Sequence, residues 1–314
     1  MLMKKFLLSV SFLGLFAFVY AQQDPQFSQN MFNRLYPNPG YAGSTDAICG
    51  TLLGRGQWLG WDGAPKTALL SVHGPVRKIH GGVGLNVSQD MIGQEQTFNL
   101  KLGYAYRMSL GAGKLGVGLG LGLANKALGN NWVAIDDINS DQSIPANGAS
   151  DMNFDMDLGV YYNTDKLFVG FSSTHLTQSQ FKNVNLSYEL TRHYYIMAGY
   201  IHEFNPSLSL QPSVFIKSDA TSAQIDINAI AIYNNQFWGG VSYRYQDAIV
   251  PMIGVMYPMG PGTLKFGYSY DFTLSDMKQG TNGKMVQTHE ISLGYCFNVP
   301  EVPDVQKHKT VRFL

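Results

Sequence analysis

From Leu115 to Leu123 the chain alternates aliphatic residues with bare glycine: Leu115, Val117, Leu119, Leu121 and Leu123 are interleaved with Gly116, Gly118, Gly120 and Gly122. Successive side chains of an extended strand project to opposite faces, so this stretch has one aliphatic face and one face without side chains. A soluble half-buried strand would carry hydroxyls or charges on the second face; glycine there makes room for something to approach closely from inside. The same period returns with polar partners. Phe98, Leu100, Leu102, Tyr104 and Tyr106 alternate with Thr97, Asn99, Lys101 and Gly103, and Phe154, Met156, Leu158 and Val160 with Asp155, Asp157 and Gly159. Leu264, Phe266, Tyr268, Tyr270 and Phe272 alternate with Lys265, Gly267, Ser269 and Asp271, and Ile291, Leu293, Tyr295 and Phe297 with Glu290, Ser292 and Gly294. Apolar-out and polar-in is the pattern of a transmembrane β-barrel.

Composition agrees. Only 14% of the 314 residues are charged, where a soluble chain carries about 25%. Beyond the N-terminus no apolar run approaches the ~18 to 20 residues of a spanning helix. Lys plus Arg and Asp plus Glu balance at 22 each, so there is no basic excess for phosphates, and nucleic acid is not an expected partner. The expected fold is all-β: an antiparallel transmembrane barrel of about fourteen strands, centred near residues 52, 69, 85, 101, 119, 157, 170, 197, 212, 228, 241, 254, 268 and 292. With both termini periplasmic, odd-numbered connections are extracellular and should be longer. Residues 126–150, 176–187 and 275–286 fit the fifth, seventh and thirteenth, while Thr164-Asp165, Asn205-Pro206 and Asn234-Asn235 read as tight even-numbered turns. Tyr161, Tyr162, Tyr194, Tyr195, Trp238, Tyr243 and Tyr245 lie toward segment ends, as interfacial girdles would. A soluble β-sandwich is the competing fold, disfavoured by the scarcity of charge.

The first residues set the compartment. Lys4 and Lys5 precede an apolar run from Phe6 to Val19, and Ala21 offers a cleavage point, so residues 1–21 read as a signal peptide and the mature chain as beginning at Gln22. No Cys stands there to accept a lipid. Residues 22–46 carry no alternation and form a separate segment, 47–298 the barrel and 299–314 a periplasmic tail. Cys49 and Cys296 lie near the start of the first strand and the end of the last, which barrel closure makes neighbours, and alternation points both inward. A closing disulfide is one reading and two free thiols the other.

Catalytic patterns are weak. The glycine run lies within a strand rather than at a strand-to-helix turn, which argues against a phosphate loop. Asp137, Asn139 and Asp141 resemble the first ligands of a calcium loop, yet Gln142 and Gly148 stand where that loop requires Gly and a bidentate Glu. The seven His show no zinc-protease spacing and no Ser stands in a nucleophile elbow. Asp155 and Asp157 share a face and read as residues lining a wet lumen rather than as an acid pair. Neither an enzyme nor a cofactor or metal site is expected.

Three blocks carry a resemblance. The first holds Asp24, Pro25, Gln26, Phe27, Ser28, Gln29, Met31 and Asn33, then Asn38, Pro39, Tyr41, Ala42 and Gly43; the second Trp58 with Gly63, Ala64 and Pro65; the third begins at His289 and Glu290. In this order they resemble the PorP/SprF family of outer-membrane proteins of the type IX secretion and gliding motility system of Bacteroidetes. The resemblance implies a FadL-like barrel in the outer membrane of a Gram-negative bacterium. It implies as partners a secreted surface protein or adhesin, through its C-terminal domain, or outer-membrane, periplasmic or lipoprotein subunits of the secretion machine, besides membrane lipid. Gly40, Cys296 and Leu314 depart from the residues relatives often carry. The Pro- and Asn-rich first block is expected to fold into or under the lumen, where its backbone groups find partners and Phe27, Met31, Phe32 and Tyr41 are covered; a mobile leader is the alternative. For function, a binding barrel that captures a protein segment competes with a FadL-like transporter of small hydrophobic ligands.

Overall fold

The computed structural model describes residues 24–130, 148–182, 188–275 and 285–298. The expected signal peptide, the tail from 299 and the calcium-like residues Asp137, Asn139 and Asp141 lie outside the described residues. The elements in chain order are β1 (Ala47–Leu59), β2 (Lys66–Val76), β3 (Gly81–Ile92), β4 (Glu95–Leu110), β5 (Gly113–Leu128), β6 (Ala149–Asn163), β7 (Leu167–Thr174), a two-residue hairpin β8 (Gln180–Phe181) and β9 (Tyr188–Glu189), β10 (His193–Tyr200), β11 (His202–Asn205), β12 (Leu208–Ser218), β13 (Ala223–Tyr233), β14 (Phe237–Arg244), β15 (Ala248–Met259), β16 (Gly262–Thr273) and β17 (Gln287–Asn298).

Each long strand pairs antiparallel with its sequence neighbour, and β1 closes on β17. β10 and β11, broken only at Ile201, both pair with β12 and make one stave. The barrel therefore has fourteen staves, and every expected segment is one of them. Closure removes the exposed edges that an open sheet would present to lipid. Connections at one end are turns of two to four residues, such as 111–112 and 260–261; the long ones, 129–148, 175–192 and 274–286, all lie at the other end.

Alternation sorts the side chains as expected. Leu119, Leu121 and Leu123 are 39–42% exposed on the outer face, while Gly116, Gly118 and Gly120 on the inner face of the same strand are buried. Three of the expected girdle aromatics are instead lumenal: Tyr161, Tyr195 and Trp238 are at most 5% exposed. Their positions are in phase with the inward residues, and they pack on the segment that fills the barrel. Asp155 and Asp157 also point inward, as expected, but at 0% and 3% exposure they lie in a dry ion cluster and line no wet lumen. Cys49 pairs with Cys296 across the closing seam and the two are joined as a disulfide.

Candidate functional site

The lumen is filled by the chain's own first block. Residues 24–46 run from the long-connection end to the short-turn end before turning into β1, with two 3-10 turns at Asn30–Phe32 and Pro39–Tyr41. This short, proline-interrupted segment has few backbone bonds of its own, so its polar groups must find partners in the wall.

Its first half is held by charge. The Glu290 carboxylate accepts the backbone N–H groups of Ser28 and Gln29 at 2.8 and 2.7 Å. The Gln29 side chain donates to the Glu290 carbonyl and accepts from Ser292 at 2.6 Å. Ser28 Oγ donates to Asp271 and accepts from both Arg55 and Arg244. Those guanidinium groups in turn pair with Asp271 at 2.8 and 2.9 Å, Arg55 also with Glu290, and Arg244 also with Asp226 and Asp247. Gln26 and Asn30 donate to Asp226. Arg55, Asp226, Arg244, Asp271 and Glu290 are all at most 4% exposed. Charges so deeply buried persist only when paired and hydrogen-bonded, and the segment supplies several of the missing partners.

A second cluster surrounds Asp24. Its Oδ1 meets His175 Nε2 at 2.8 Å, its Oδ2 accepts from Tyr195 and Thr174, and its carbonyl accepts from Lys217. Lys101 bridges Asp155 and Asp157 behind it, opposite Gly122 of β5, whose bare face leaves room for the lysine stem. Burial works against the Asp24 carboxylate, but His175, His193 and Lys101 hold it well below the usual carboxylate range. Burial likewise opposes a charged His175, yet Asp24 and Asp155 draw its pKa up to about 10.

The second half is held by shape. Gly118 of β5 stands opposite Gly159 of β6, and Pro39-Gly40 lies on that pair. A Cβ on Gly118 would come 2.4 Å from the Gly40 nitrogen, one on Gly116 2.3 Å from the Gly40 oxygen, and one on Gly159 2.1 Å from the Asn38 amide oxygen. Gly82 meets Ala42 in the same way, and Gly40 itself faces two wall carbonyls. Asn38 caps its turn by accepting from Gly40 and donates to the Val160 carbonyl at 3.0 Å, while Ser172 donates to the Pro37 carbonyl. Tyr41 packs edge-on against Tyr161 and His73. Arg34 lies 3.6 Å over the Phe168 ring and donates to Tyr161.

Opposite this bed a cavity of about 690 Å³ remains at the short-turn end, between the segment and the β12–β17 wall. Phe32, Tyr41 and Trp238 supply its aromatic surface and Arg34 and Lys265 its charge; the disulfide lines it, and among the described residues no carboxylate does. Phe32 packs against Trp238 with the rings tilted and their centroids 4.6 Å apart.

The expected site residues therefore fall into two groups. Asp24 through Gly43 are gathered in the lumen, with Phe27 packed on Leu53 and Leu69, Met31 near Trp238, and Asn33 buried. Glu290 joins them from β17. Trp58, near the end of β1, and Gly63, Ala64 and Pro65, in the first connection, stand apart; there the Gly93 amide donates to the Gly63 carbonyl, and His289 lies on the outer face bonded to Tyr268. Arg55, Arg244, Asp226 and Asp271 were not singled out by sequence. The available signal was an isolated Arg at an inward position of a strand in a chain so poor in charge.

A family model described as type IX secretion system membrane protein PorP/SprF matches residues 19–295. No curated protein sequence matches. Among solved structures the chain is similar to the CymD monoaromatic hydrocarbon channel, with 14% identity, 88% of this chain and 94% of that one covered, and a TM-score of 0.50. It is also similar to the Pseudomonas putida toluene transporter TodX, with 11% identity, coverage of 89% and 95%, and a TM-score of 0.48. At such identities the likeness is one of fold.

Proposed function

The chain belongs to the PorP/SprF family of type IX secretion system membrane proteins, and from that premise we propose that it is a non-enzymatic barrel that holds a secreted surface protein or adhesin by its C-terminal domain, or subunits of the secretion machine, at the outer membrane. The observation that carries this reading is the filled lumen. A barrel whose interior is occupied along its length by its own residues 24–46, tied in by buried ion pairs, is built as a rigid platform, and binding falls to its mouths and rim. The long connections, outward in barrels of this kind, would present the extracellular surface, and the leading end of the segment at Asp24 lies at that same mouth. The apolar belt meets lipid.

Purification of the tagged protein from native outer membranes in mild detergent, with mass-spectrometric identification of stoichiometric companions, tests the reading. A surface adhesin, its C-terminal domain or secretion-machine subunits are expected; a barrel reproducibly free of companions would sink it. The second reading, a carrier of small hydrophobic ligands, draws on the aromatic cavity at the short-turn end. Saturable uptake of such a ligand by vesicles containing the barrel would favour it.

A further inference from the structure

We propose that Asp24, His175 and His193 form a binding site for a divalent transition-metal ion, of which zinc is the natural probe, and that the ion staples the leading end of the lumenal segment to the barrel wall. The three ligand atoms, one from each residue, lie within 4.8 Å of one another. Both imidazoles are buried, at 4% and 3% exposure.

The groups behind the ligands are arranged as metal sites require. A ligating histidine has its second ring nitrogen fixed by a carboxylate or a backbone carbonyl, which leaves the first nitrogen's lone pair free for the metal. Here His193 Nδ1 donates to the Thr191 carbonyl at 2.8 Å, so its Nε2 carries the lone pair. His175 Nδ1 sits 2.7 Å from Asp155 Oδ2, and its Nε2 faces Asp24. Asp24 is oriented in the same manner: Tyr195 and Thr174 take Oδ2, which leaves Oδ1 toward the imidazoles. Three protein ligands of nitrogen and oxygen type, with a fourth position left for water, suit zinc.

A proton on His175 would satisfy the Asp24–His175–Asp155 line. It would leave the buried lone pair of His193 Nε2 with only a long contact, 3.4 Å, from the Asp24 amide. An ion employs all three groups. Three carboxylates, Asp24, Asp155 and Asp157, face Lys101 and Lys217 here, and the ion would take the place of a proton between Asp24 and His175. Tetrahedral zinc with bonds of ~2.0–2.2 Å holds its ligands about 3.3 Å apart. The Asp24–His175 contact would open slightly from 2.8 Å and His193 would close in.

The test uses full-length protein purified from outer membranes through a histidine-free tag, stripped with chelator and titrated with Zn²⁺ against a chromophoric competitor. One zinc per barrel is expected, and Co²⁺ in its place should give the visible absorption of a tetrahedral site. His193→Gln should weaken zinc binding by about tenfold or more, whereas His202→Gln, on the exposed β11, should leave it unchanged. Heat-modifiable migration confirms folding; should His193→Gln fail to fold, Asp24→Asn, upstream of the barrel, carries the same expectation. Absence of stoichiometric zinc in the wild type, or equal binding by wild type and ligand variant, would overturn the proposal.

Discussion

The two halves of the lumenal segment are held by different physics. From Asp24 to Asn30 the grip is electrostatic: carboxylates and guanidinium groups at most 4% exposed close on Ser28 and Gln29. From Leu35 to Gly43 it is steric: a track of glycines in β3, β5 and β6 lets backbone lie directly on backbone. Charge specifies which residues may occupy the upper lumen, because any other arrangement strands ions in a dry interior. Shape specifies only thickness, because any side chain on the bed would displace the segment. Two independent holds also explain how so short a segment, with only two turns of regular structure, stays in one place.

Breaking the ionic half should have the largest effect. Arg244→Ala leaves Asp226 buried without its guanidinium partner and Asp271 with Arg55 alone, and is expected to cost about 3–5 kcal/mol, read as a lower temperature for loss of heat-modifiable migration together with new protease cleavage near Phe27. A barrel as stable as the wild type would mean that the cluster is wet. Next comes the bed. Gly118→Val puts a side chain where the Pro39-Gly40 backbone lies; overpacking of this kind costs about 1–3 kcal/mol. The barrel should persist while residues 35–43 become protease-accessible, and protection equal to wild type would refute the steric account.

Asn38→Ala removes one cap and its bond to the Val160 carbonyl, for an expected loss of about 0.5–2 kcal/mol, checked by the same melting experiment. The smallest effect sharpens the contrast. Lys114 and Asp46 make a 2.6 Å ion pair at the short-turn rim, but they are 48% and 57% exposed, and Lys114→Ala should change stability by less than about 1 kcal/mol. A loss comparable to that of Arg244→Ala would show that burial is not what separates the two.

Much of this was legible in the sequence because alternation is a local signal. The strand centres near 52, 119 and 292 fall inside β1, β5 and β17, and the parity of long and short connections sets both ends of the barrel. The bare face of Gly116 to Gly122 announced a close approach before anything was known to approach it. The partners were not legible. Ser28 and Glu290 are 262 residues apart and meet only because the barrel closes. Asp155 and Asp157 read as residues of a wet lumen, since no local pattern shows that Lys101, His175 and Asp24 converge on them. Tyr161, Tyr195 and Trp238 read as girdle residues by position along their strands, and only their phase, which is inward, separates them from Tyr243 and Tyr245. The importance of the block from Asp24 to Gln29 came from resemblance to a family, and its contacts supply the physical reason.

The central claim is that the lumen is occupied by the chain's own N-terminal segment. Single-channel recording of the purified full-length barrel in planar bilayers tests it most directly. The wild type should give no reproducible conductance steps, and Arg244→Ala combined with Gly118→Val, which loosens both holds, should give them. Stable, uniform conductance from the wild type would contradict the claim.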